Sequence, residues 1–227
     1  MATREALAFD LYGTLVDPIR IWTRLERDIP NLAVRIAEVW RQKQLEYTFR
    51  LTAMEQYEDF EQVTRRALDY ALAVTGHDLD PDQKAALLAQ YDDLEPFADV
   101  EPGLRRLREA GYQMVIFSNG SPRMIAAVME RAGLHTYLEG FVSVDEVRVY
   151  KPSPRVYRHL AARLDRPLEQ VRLISSNPFD ILGAAAVGMP VAWIDRSKGV
   201  FDTLGDPPEV AVTSLTELAD ALQARPG

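Results

Sequence analysis

The first segment of the chain is a short apolar run that ends in an acid. Ala6 to Phe9 are apolar, Asp10 follows, and Gly13 marks a turn shortly afterwards. An uninterrupted apolar run that is bounded by a turn signal is typical of a strand buried on both faces. The pattern therefore predicts a buried strand over 5–10 that carries a carboxylate at its end.

The hydrophobic pattern changes to helical spacing after Pro18 and keeps that spacing to about Phe97. Apolar residues three and four positions apart predict helices, which Pro30, Gly76 and Pro81 interrupt. The predicted helices cover about 18–28, 31–50, 54–75 and 81–93. Residues 17–96 are therefore expected to form an inserted helical cap subdomain.

Short apolar runs alternate with helical segments in the rest of the chain. The expected strands are 113–117, 141–143, 171–174 and 191–194, and the expected helices are 103–110, 122–132, 153–164, 178–187 and 214–223. Strands separated by helices favour right-handed crossovers and a parallel sheet. The predicted fold class is α/β, with a Rossmann-like core of residues 1–16 and 97–227 and helices on both faces of its sheet.

Polar side chains gather at the carboxyl ends of the predicted strands. One cluster follows the first strand at 10–14, another follows the second at 118–120, and a third covers 175–180. Lys151 lies in the loop before the helix at 153. In open α/β sheets this edge is where ligands bind. Four separate segments are thus expected to converge on one site.

Composition and charge limit the chemistry of that site. The chain of 227 residues has no cysteine, and its three histidines are far apart, so disulfides, thiolate zinc sites and cysteine nucleophiles are excluded. The formal net charge of −8 disfavours a nucleic-acid partner. No apolar run approaches the roughly 20 residues of a membrane span, and the amino terminus lacks a signal-peptide pattern. We expect a cytoplasmic globular protein for which an anionic small molecule is an allowed partner.

Four motifs occur in the order and spacing of the haloacid dehalogenase superfamily. The first, Phe9-Asp10-Leu11-Tyr12-Gly13-Thr14, resembles the motif in which an aspartate nucleophile follows the first strand. The segments that resemble the other motifs are Ser118-Asn119, Lys151-Pro152 and Ser175-Ser176-Asn177-Pro178-Phe179-Asp180. A helical cap after the first motif also fits the family layout. The resemblance covers essentially the whole chain.

Two departures separate the chain from the magnesium-dependent phosphatases of that superfamily. Those phosphatases have a second aspartate where this chain has Tyr12, and acidic metal ligands where it has Ser175, Ser176 and Asn177. Magnesium prefers oxygen ligands that include a carboxylate or two. The chain is more similar to the L-2-haloacid dehalogenase branch, which implies that it uses no cofactor and no metal.

The resemblance to that branch implies a role for each site residue. Asp10, ionised at neutral pH, would displace halide from an sp³ carbon and form an ester, with Thr14 in support. The alternative for Ser118 is a helix N-cap, and the alternative for Lys151 is a solvated loop lysine. The groups that would hold the substrate carboxylate are Ser118, Lys151 and the backbone N–H groups of Leu11 and Tyr12.

A second set of residues corresponds to the halide cradle of the branch, namely Arg41, Asn119 and Phe179. Donors and a positive ring edge placed there would stabilise the developing negative charge. Arg41 lies in a segment, 40–47, that resembles the cap helix of the branch, and helical spacing puts Leu45 on its face. The alternatives are a solvated charge for Arg41 and a core position for Phe179. The residues that match the pocket for the substrate's alkyl group are Tyr12, Gln42, Leu45 and Phe60.

The ester would be hydrolysed by a water that Asp180 activates, while Ser175, Asn177 and Lys151 hold the geometry. Tyr157 also matches a family site residue and would bond near Lys151, although a tyrosine on an amphipathic helix is more often a packing residue. The alternative for Asp180 is an acid in a first helical turn, favoured by the dipole. Because only the displacement inverts the substrate carbon, an (S)-2-haloacid should give an (R)-2-hydroxy acid.

Two rival functions stay open beside this interpretation. One is a magnesium-dependent phosphatase of a small phosphoester, and the other is a catalytically idle family member that acts as a binding protein. The preferred interpretation is a metal-independent hydrolase of short (S)-2-haloalkanoic acids, whose partners are the anionic substrate and the halide ion. Similar dehalogenases often pair through their cap helices, which implies a homodimer.

Overall fold

The computed structural model of the protein describes residues 4–224, and a parallel β-sheet forms the centre of that range. The ends of the predicted core, 1–3 and 225–227, lie outside the described residues. The strands are β1 (Ala6–Phe9), β2 (Met114–Ser118), β3 (Phe141–Ser143), β4 (Val171–Ser175), β5 (Val191–Ile194) and β6 (Ala211–Val212). They lie in the order β3-β2-β1-β4-β5-β6, so β1 has a neighbour on each side and is fully buried.

Helices connect these strands. They are α1 (Trp22–Asp28), α2 (Ala33–Ala53), α3 (Phe60–Val74), α4 (Pro81–Ala89), α5 (Val100–Glu109), α6 (Pro122–Arg131), α7 (Pro154–Arg163), α8 (Pro178–Ala185) and α9 (Leu215–Gln223). Several of them begin with proline, whose missing N–H and fixed φ suit the first helical position. The sequence thus marks the start of each helix that follows a strand end near the site.

The predicted α/β fold class is confirmed, but the bounds of the third and fourth helices differ from the expectation and one strand was not predicted. The third helix begins at Phe60 and not at 54, because the Asp59 side chain caps it by accepting from the Gln62 N–H at 2.8 Å. The fourth helix ends at Ala89 and continues only as a 3₁₀ turn. Strand β6 was not predicted, because two partly exposed residues give no apolar run.

The register of the sheet brings the strand ends to one edge. Phe9 of β1 lies beside Ile116 of β2 and beside Ile174 of β4. The next residue after β1, Asp10, therefore emerges between the last residues of two neighbouring strands, Ser118 and Ser175. This edge is the carboxyl end of every strand in the sheet, as expected for an open α/β fold.

Helices α1 to α4 form the insertion between β1 and α5, and they pack on this edge. The chain leaves and returns at adjacent points, where Val16 and Pro96 form an antiparallel bridge. Trp40 and Phe60 of the insertion belong to the same buried hydrophobic cluster as Phe9 and Leu11. Within 4–224, no helix combines the length and the apolar character that a bilayer crossing requires. The insertion and the sheet edge therefore enclose the space above Asp10 together.

Candidate active site

Asp10 lies at the centre of the site and is almost completely buried, with 6% of its surface exposed. Its Oδ2 atom accepts hydrogen bonds from Thr14 Oγ1 at 2.9 Å, Asn177 Nδ2 at 2.8 Å and Ser175 Oγ at 3.4 Å. Its Oδ1 atom accepts from Lys151 Nζ at 3.1 Å. The turn after β1 supplies Thr14, and the end of β4 supplies Ser175. One carboxylate oxygen is therefore surrounded by donors, whereas the other faces a single cation.

Lys151 is buried, with 1% exposed, so it is not the solvated loop lysine of the alternative interpretation. Its ammonium group donates to Asp10 Oδ1, to Asp180 Oδ2 at 2.8 Å and to the Phe117 carbonyl at 2.8 Å. These bonds use all three ammonium protons. Burial by itself would lower the pKa of Lys151, but attraction to Asp10 and Asp180 outweighs it and leaves the pKa raised. Lys151 is thus a fixed positive bridge between two acids.

Asp180 stands in the first turn of α8 and is fully buried. Its Oδ2 atom meets Lys151, and its Oδ1 atom accepts from the Tyr157 hydroxyl at 2.8 Å. Burial raises the pKa of Asp180, with repulsion from Asp10 acting in the same direction, while Lys151 and Tyr157 oppose the shift. Burial and Asp180 also raise the pKa of Tyr157 well above its usual value, which keeps its hydroxyl a donor. The predicted site tyrosine therefore contacts Asp180 directly.

The end of β2 contributes Ser118 and Asn119. Ser118 is fully buried, and its hydroxyl accepts from the Gly120 N–H at 3.1 Å. The N-cap of α6 is Ser121, whose hydroxyl accepts from Met124 N–H, so the capping alternative for Ser118 is wrong. Asn119 Oδ1 accepts from the Lys151 backbone N–H at 3.1 Å. This bond turns the amide oxygen of Asn119 toward Lys151 and makes the opposite end of the amide a donor.

Arg41 reaches the site from α2 and is not a solvated helix charge. Its Nη2 atom donates to the Tyr12 carbonyl at 3.2 Å, and its Nη1 atom donates to Gln44 Oε1 at 2.7 Å. Burial lowers the pKa of the Arg41 guanidinium, although Tyr91, Asp10 and Tyr12 counteract that effect. The Tyr12 ring stacks on Phe60, with ring centroids 5.6 Å apart. The cap thus places one cation and a layer of aromatic rings opposite Asp10.

Some predicted site residues are less central than the resemblance implied. Gln42 is exposed, because adjacent helix positions point about 100° apart and Arg41 occupies the inward face. The structure does not bring Gln42 into the cluster around Asp10. Leu45 and Phe179 are half-buried, and Phe179 meets Phe49 edge to face at 5.1 Å between centroids. Leu11 is fully buried behind Asp10.

Two contacting residues were missed by the sequence analysis. Ser176 donates its backbone N–H to Thr14 Oγ1 at 2.9 Å and its hydroxyl to the Gly13 carbonyl, so it fixes the turn that carries Asp10. Its position inside the last motif was an available signal. Gln44 is fully buried and bonds to Arg41, and its place three residues after that arginine on one helix was the corresponding signal.

The groups around Asp10 do not fit a magnesium ion. Thr14, Ser175 and Asn177 donate to Oδ2, and a hard cation requires oxygen ligands that offer lone pairs. Asn177 Nδ2 also donates to the Tyr12 carbonyl at 3.2 Å. In the part of the chain that the structure describes, no group of three or more His, Cys, Asp or Glu side chains is arranged for a metal.

The first strand of the parallel sheet ends in a buried aspartate, and one lysine bridges this aspartate to a second buried aspartate. This arrangement defines a hydrolase that is built around a carboxylate. The chain belongs to the haloacid dehalogenase-like hydrolase family, whose model matches residues 5–188. The family expected from the motifs is confirmed.

Relatives match over nearly the full length. The chain is 39% identical over 223 residues to the (S)-2-haloacid dehalogenase of Pseudomonas sp. (strain YL), covering 98% of this chain and 96% of that protein. It is 39% identical over 208 residues to haloacetate dehalogenase H-2 of Moraxella sp. (strain B), covering 92% and 93%. The solved L-2-haloacid dehalogenase from Xanthobacter autotrophicus with covalently bound chloropropionic acid aligns with a TM-score of 0.90 and 32% identity, covering 99% and 100%.

Proposed function

We propose that this protein hydrolyses short (S)-2-haloalkanoic acids to (R)-2-hydroxy acids through an ester on Asp10, without a metal. The observation that carries the proposal is the buried bridge in which Lys151 joins Asp10 to Asp180. The donors that surround Asp10 Oδ2, and the relatives named for haloacid dehalogenation, support it. A carboxylate needs no base to act as a nucleophile.

The first step is displacement of the halide by Asp10. The Oδ2 atom accepts three hydrogen bonds, whereas Oδ1 accepts one from Lys151, so Oδ1 is the more available nucleophile. An electron pair of Oδ1 forms the bond to C2 of the substrate, and the carbon–halogen pair departs with the halide. Back-side attack inverts C2. The product of this step is an ester of Asp10 and a free halide ion.

Two groups of residues hold the substrate during that displacement. The substrate carboxylate is assigned to the Ser118 hydroxyl and to the N–H groups of Leu11 and Tyr12 at the sheet edge. Lys151 contributes its positive charge there and no hydrogen bond, because its three protons are already engaged. The departing halide is assigned to Arg41, Asn119 and Phe179, with Arg41 as the cation that faces the site from the cap. Tyr12, Leu45 and Phe60 line the apolar side. Stabilisation of the halide lowers the barrier, because its charge develops only as the bond breaks.

Hydrolysis of the ester completes the reaction. Asp180, ionised beside Lys151, takes a proton from a water whose oxygen attacks the Asp10 carbonyl carbon. Thr14, Ser175 and Asn177 donate to Oδ2, where negative charge develops, and Tyr157 holds Asp180. Collapse of the intermediate breaks the bond between the Asp10 carbonyl carbon and Oδ1, and Asp180 returns its proton to the departing alkoxide, which gives the hydroxy acid. The proton left on the Asp10 carboxyl group passes to solvent and restores the carboxylate. The net reaction consumes one water and releases one halide and one proton.

The test is turnover of (S)-2-chloropropionate in heavy-oxygen water with a chelator present. We expect stoichiometric chloride and (R)-lactate, and after several cycles the label in the peptide that contains Asp10. Label found only in the product contradicts the ester. Phosphoester hydrolysis that the chelator abolishes, with no chloride release, favours the phosphatase. Absence of turnover on all chloro-, bromo- and fluoro-substituted acids favours the idle binding protein.

The proposal extends to the organisation and location of the enzyme. Residues 17–96 act as a cap on a core formed by 1–16 and 97–227, and two chains pair through the cap helices. Exposed apolar side chains at the carboxyl ends of α2 and α3, Met54 and Val74 at 58% and 57%, support the pairing. So does a surface cavity of about 480 Å³ whose lining includes Leu51 and Val63. Sedimentation of the wild type and of Met54→Glu tests the dimer, and cell fractionation tests a cytoplasmic location.

A further inference from the structure

A buried chain of hydrogen bonds runs behind Arg41, on the side away from Asp10. Gln44 and Thr64 are 0% and 2% exposed. Arg41 Nη1 donates to Gln44 Oε1, Gln44 Nε2 donates to Thr64 Oγ1 at 2.7 Å, and the Thr64 hydroxyl donates to the Phe60 carbonyl at 2.6 Å. Trp40 Nε1 donates to the Thr64 carbonyl at 2.8 Å. The network ties the helix that carries Arg41 to the neighbouring helix α3.

The direction of every bond in this chain is determined. Thr64 has one hydroxyl proton, which it gives to Phe60, so it can only accept from Gln44. Gln44 must therefore turn its NH₂ group toward Thr64 and its oxygen toward Arg41. A reversed amide would set its NH₂ group against the N–H of Arg41 at one end and its oxygen against the hydroxyl oxygen of Thr64 at the other. The hydroxyl of Thr64 thus decides which end of Gln44 meets the guanidinium.

We propose that Gln44 is a positioning residue, which holds the Arg41 guanidinium toward the departing halide and leaves its positive charge uncompensated. This inference rests on the proposed function. A guanidinium has five N–H donors, and Gln44 engages one from behind, so the others remain directed at the Tyr12 loop and the substrate. A carboxylate in the same place would orient Arg41 equally well, but its negative charge would oppose the attraction for halide in a water-poor site. The neutral amide therefore gives orientation without neutralisation.

The decisive variant is Gln44→Glu, with Gln62→Glu on the exposed surface of α3 as a control of equal charge. We expect kcat for (S)-2-chloropropionate to fall about 10- to 100-fold with KM nearly unchanged, because the substrate carboxylate is held elsewhere. Binding of chloride to the resting protein, measured by line broadening of the ³⁵Cl resonance, should weaken in Gln44→Glu and stay at the wild-type level in the control. If Gln44 had a purely structural role, the substitution would not lower kcat selectively relative to KM and would not weaken chloride binding.

Thr64→Val and Thr64→Ser keep the inference testable if Gln44→Glu does not fold. Valine matches the shape of threonine but cannot accept from Gln44, so the amide can reverse and both kcat and chloride binding should drop several-fold. Serine keeps the hydroxyl and should restore both. Folded Gln44→Glu and Thr64→Val proteins with wild-type kcat and chloride binding overturn the inference. A wild type that releases no halide contradicts the proposed function instead.

Discussion

The two sides of the site are built by different chemistry. On the core side, Asp10, Lys151 and Asp180 are linked by short hydrogen bonds between charges. On the cap side, Tyr12 and Phe60 stack their rings, and the structure gives the buried Tyr12 hydroxyl no hydrogen-bond partner among the described residues. Charge fixes the reacting groups, whereas packing shapes the space for the substrate. Substitutions among the linked charges should therefore have large effects, and substitutions within the aromatic stack should have small ones.

The largest effect is expected from Asp10→Asn. The amide is a poor nucleophile and cannot form the ester at a useful rate, so halide release should fall by roughly a thousandfold or more. A halide electrode measures the rate, with the exposed Asp93→Asn as a variant of the same chemistry at the surface. Undiminished release from Asp10→Asn would remove Asp10 from the mechanism.

Asp180→Asn should separate the two steps. Asparagine cannot take the proton from water, so the enzyme should release about one halide per site and then stop with the ester in place. Rapid-quench measurement of halide gives the size of the burst, and mass spectrometry of the intact chain gives the added mass. Steady turnover without a burst would show that another group activates the water.

Tyr157→Phe tests how a single hydrogen bond on the core side, from the Tyr157 hydroxyl to Asp180, affects the pKa of Asp180. Burial already raises the pKa of Asp180, so the acidic limb of the kcat profile should lie above the range of an ordinary aspartate. The Tyr157 hydroxyl stabilises the ionised form of Asp180, and its removal should move this limb to higher pH. Tyr137→Phe removes a hydroxyl that donates to Glu101 at the surface and should leave the profile in place. An unmoved limb in Tyr157→Phe would exclude Asp180 as the titrating base.

The smallest effect is expected on the cap side and concerns stability. Burial raises the pKa of Tyr12 far above its usual value, and no partner within residues 4–224 offsets the loss of hydration of its hydroxyl. Tyr12→Phe should therefore stabilise the fold by about 1 kcal/mol in chemical denaturation. Tyr91 lies in the same aromatic cluster and bonds to Gln44, so Tyr91→Phe should destabilise it. Equal shifts in both variants would mean that the Tyr12 hydroxyl has a partner.

The sequence predicted the core side better than the cap side. Asp10 and Asp180 follow the ends of strands, and Lys151 lies in the loop before α7. The rule that ligands bind at the carboxyl edge of an open α/β sheet was enough to predict that they converge. Gln42 and Gln44 are two positions apart on one helix, and only the packing of α2 against α3 decides which of them faces inward. The spacing of residues along the chain does not predict the orientation of the buried Gln44 amide, because that orientation depends on the Thr64 hydroxyl on the neighbouring helix α3.

Local signals explain the remaining differences in the fold. Asp59 followed by Gln62 at the third position is an N-cap pattern, and it could have placed the start of α3. Strand β6 carries no such signal, since two partly exposed residues pair with β5 only because the chain passes that sheet edge. Helix capping is determined by residues that are neighbours in the sequence, whereas strand pairing at a sheet edge depends on the path of the whole chain.

The hydrophobic cluster that the insertion shares with the sheet restricts the entry of substrate into the site. Movement of all four helices away from the sheet would expose Trp40, Phe60 and Tyr12 to water. The free-energy cost would be about 25 cal/mol for each Å² of apolar surface exposed. Local fluctuations of individual side chains avoid most of that free-energy cost. Small acids can pass through such transient gaps and bulky ones cannot, so turnover across a homologous series of acids should decline as the alkyl tail lengthens.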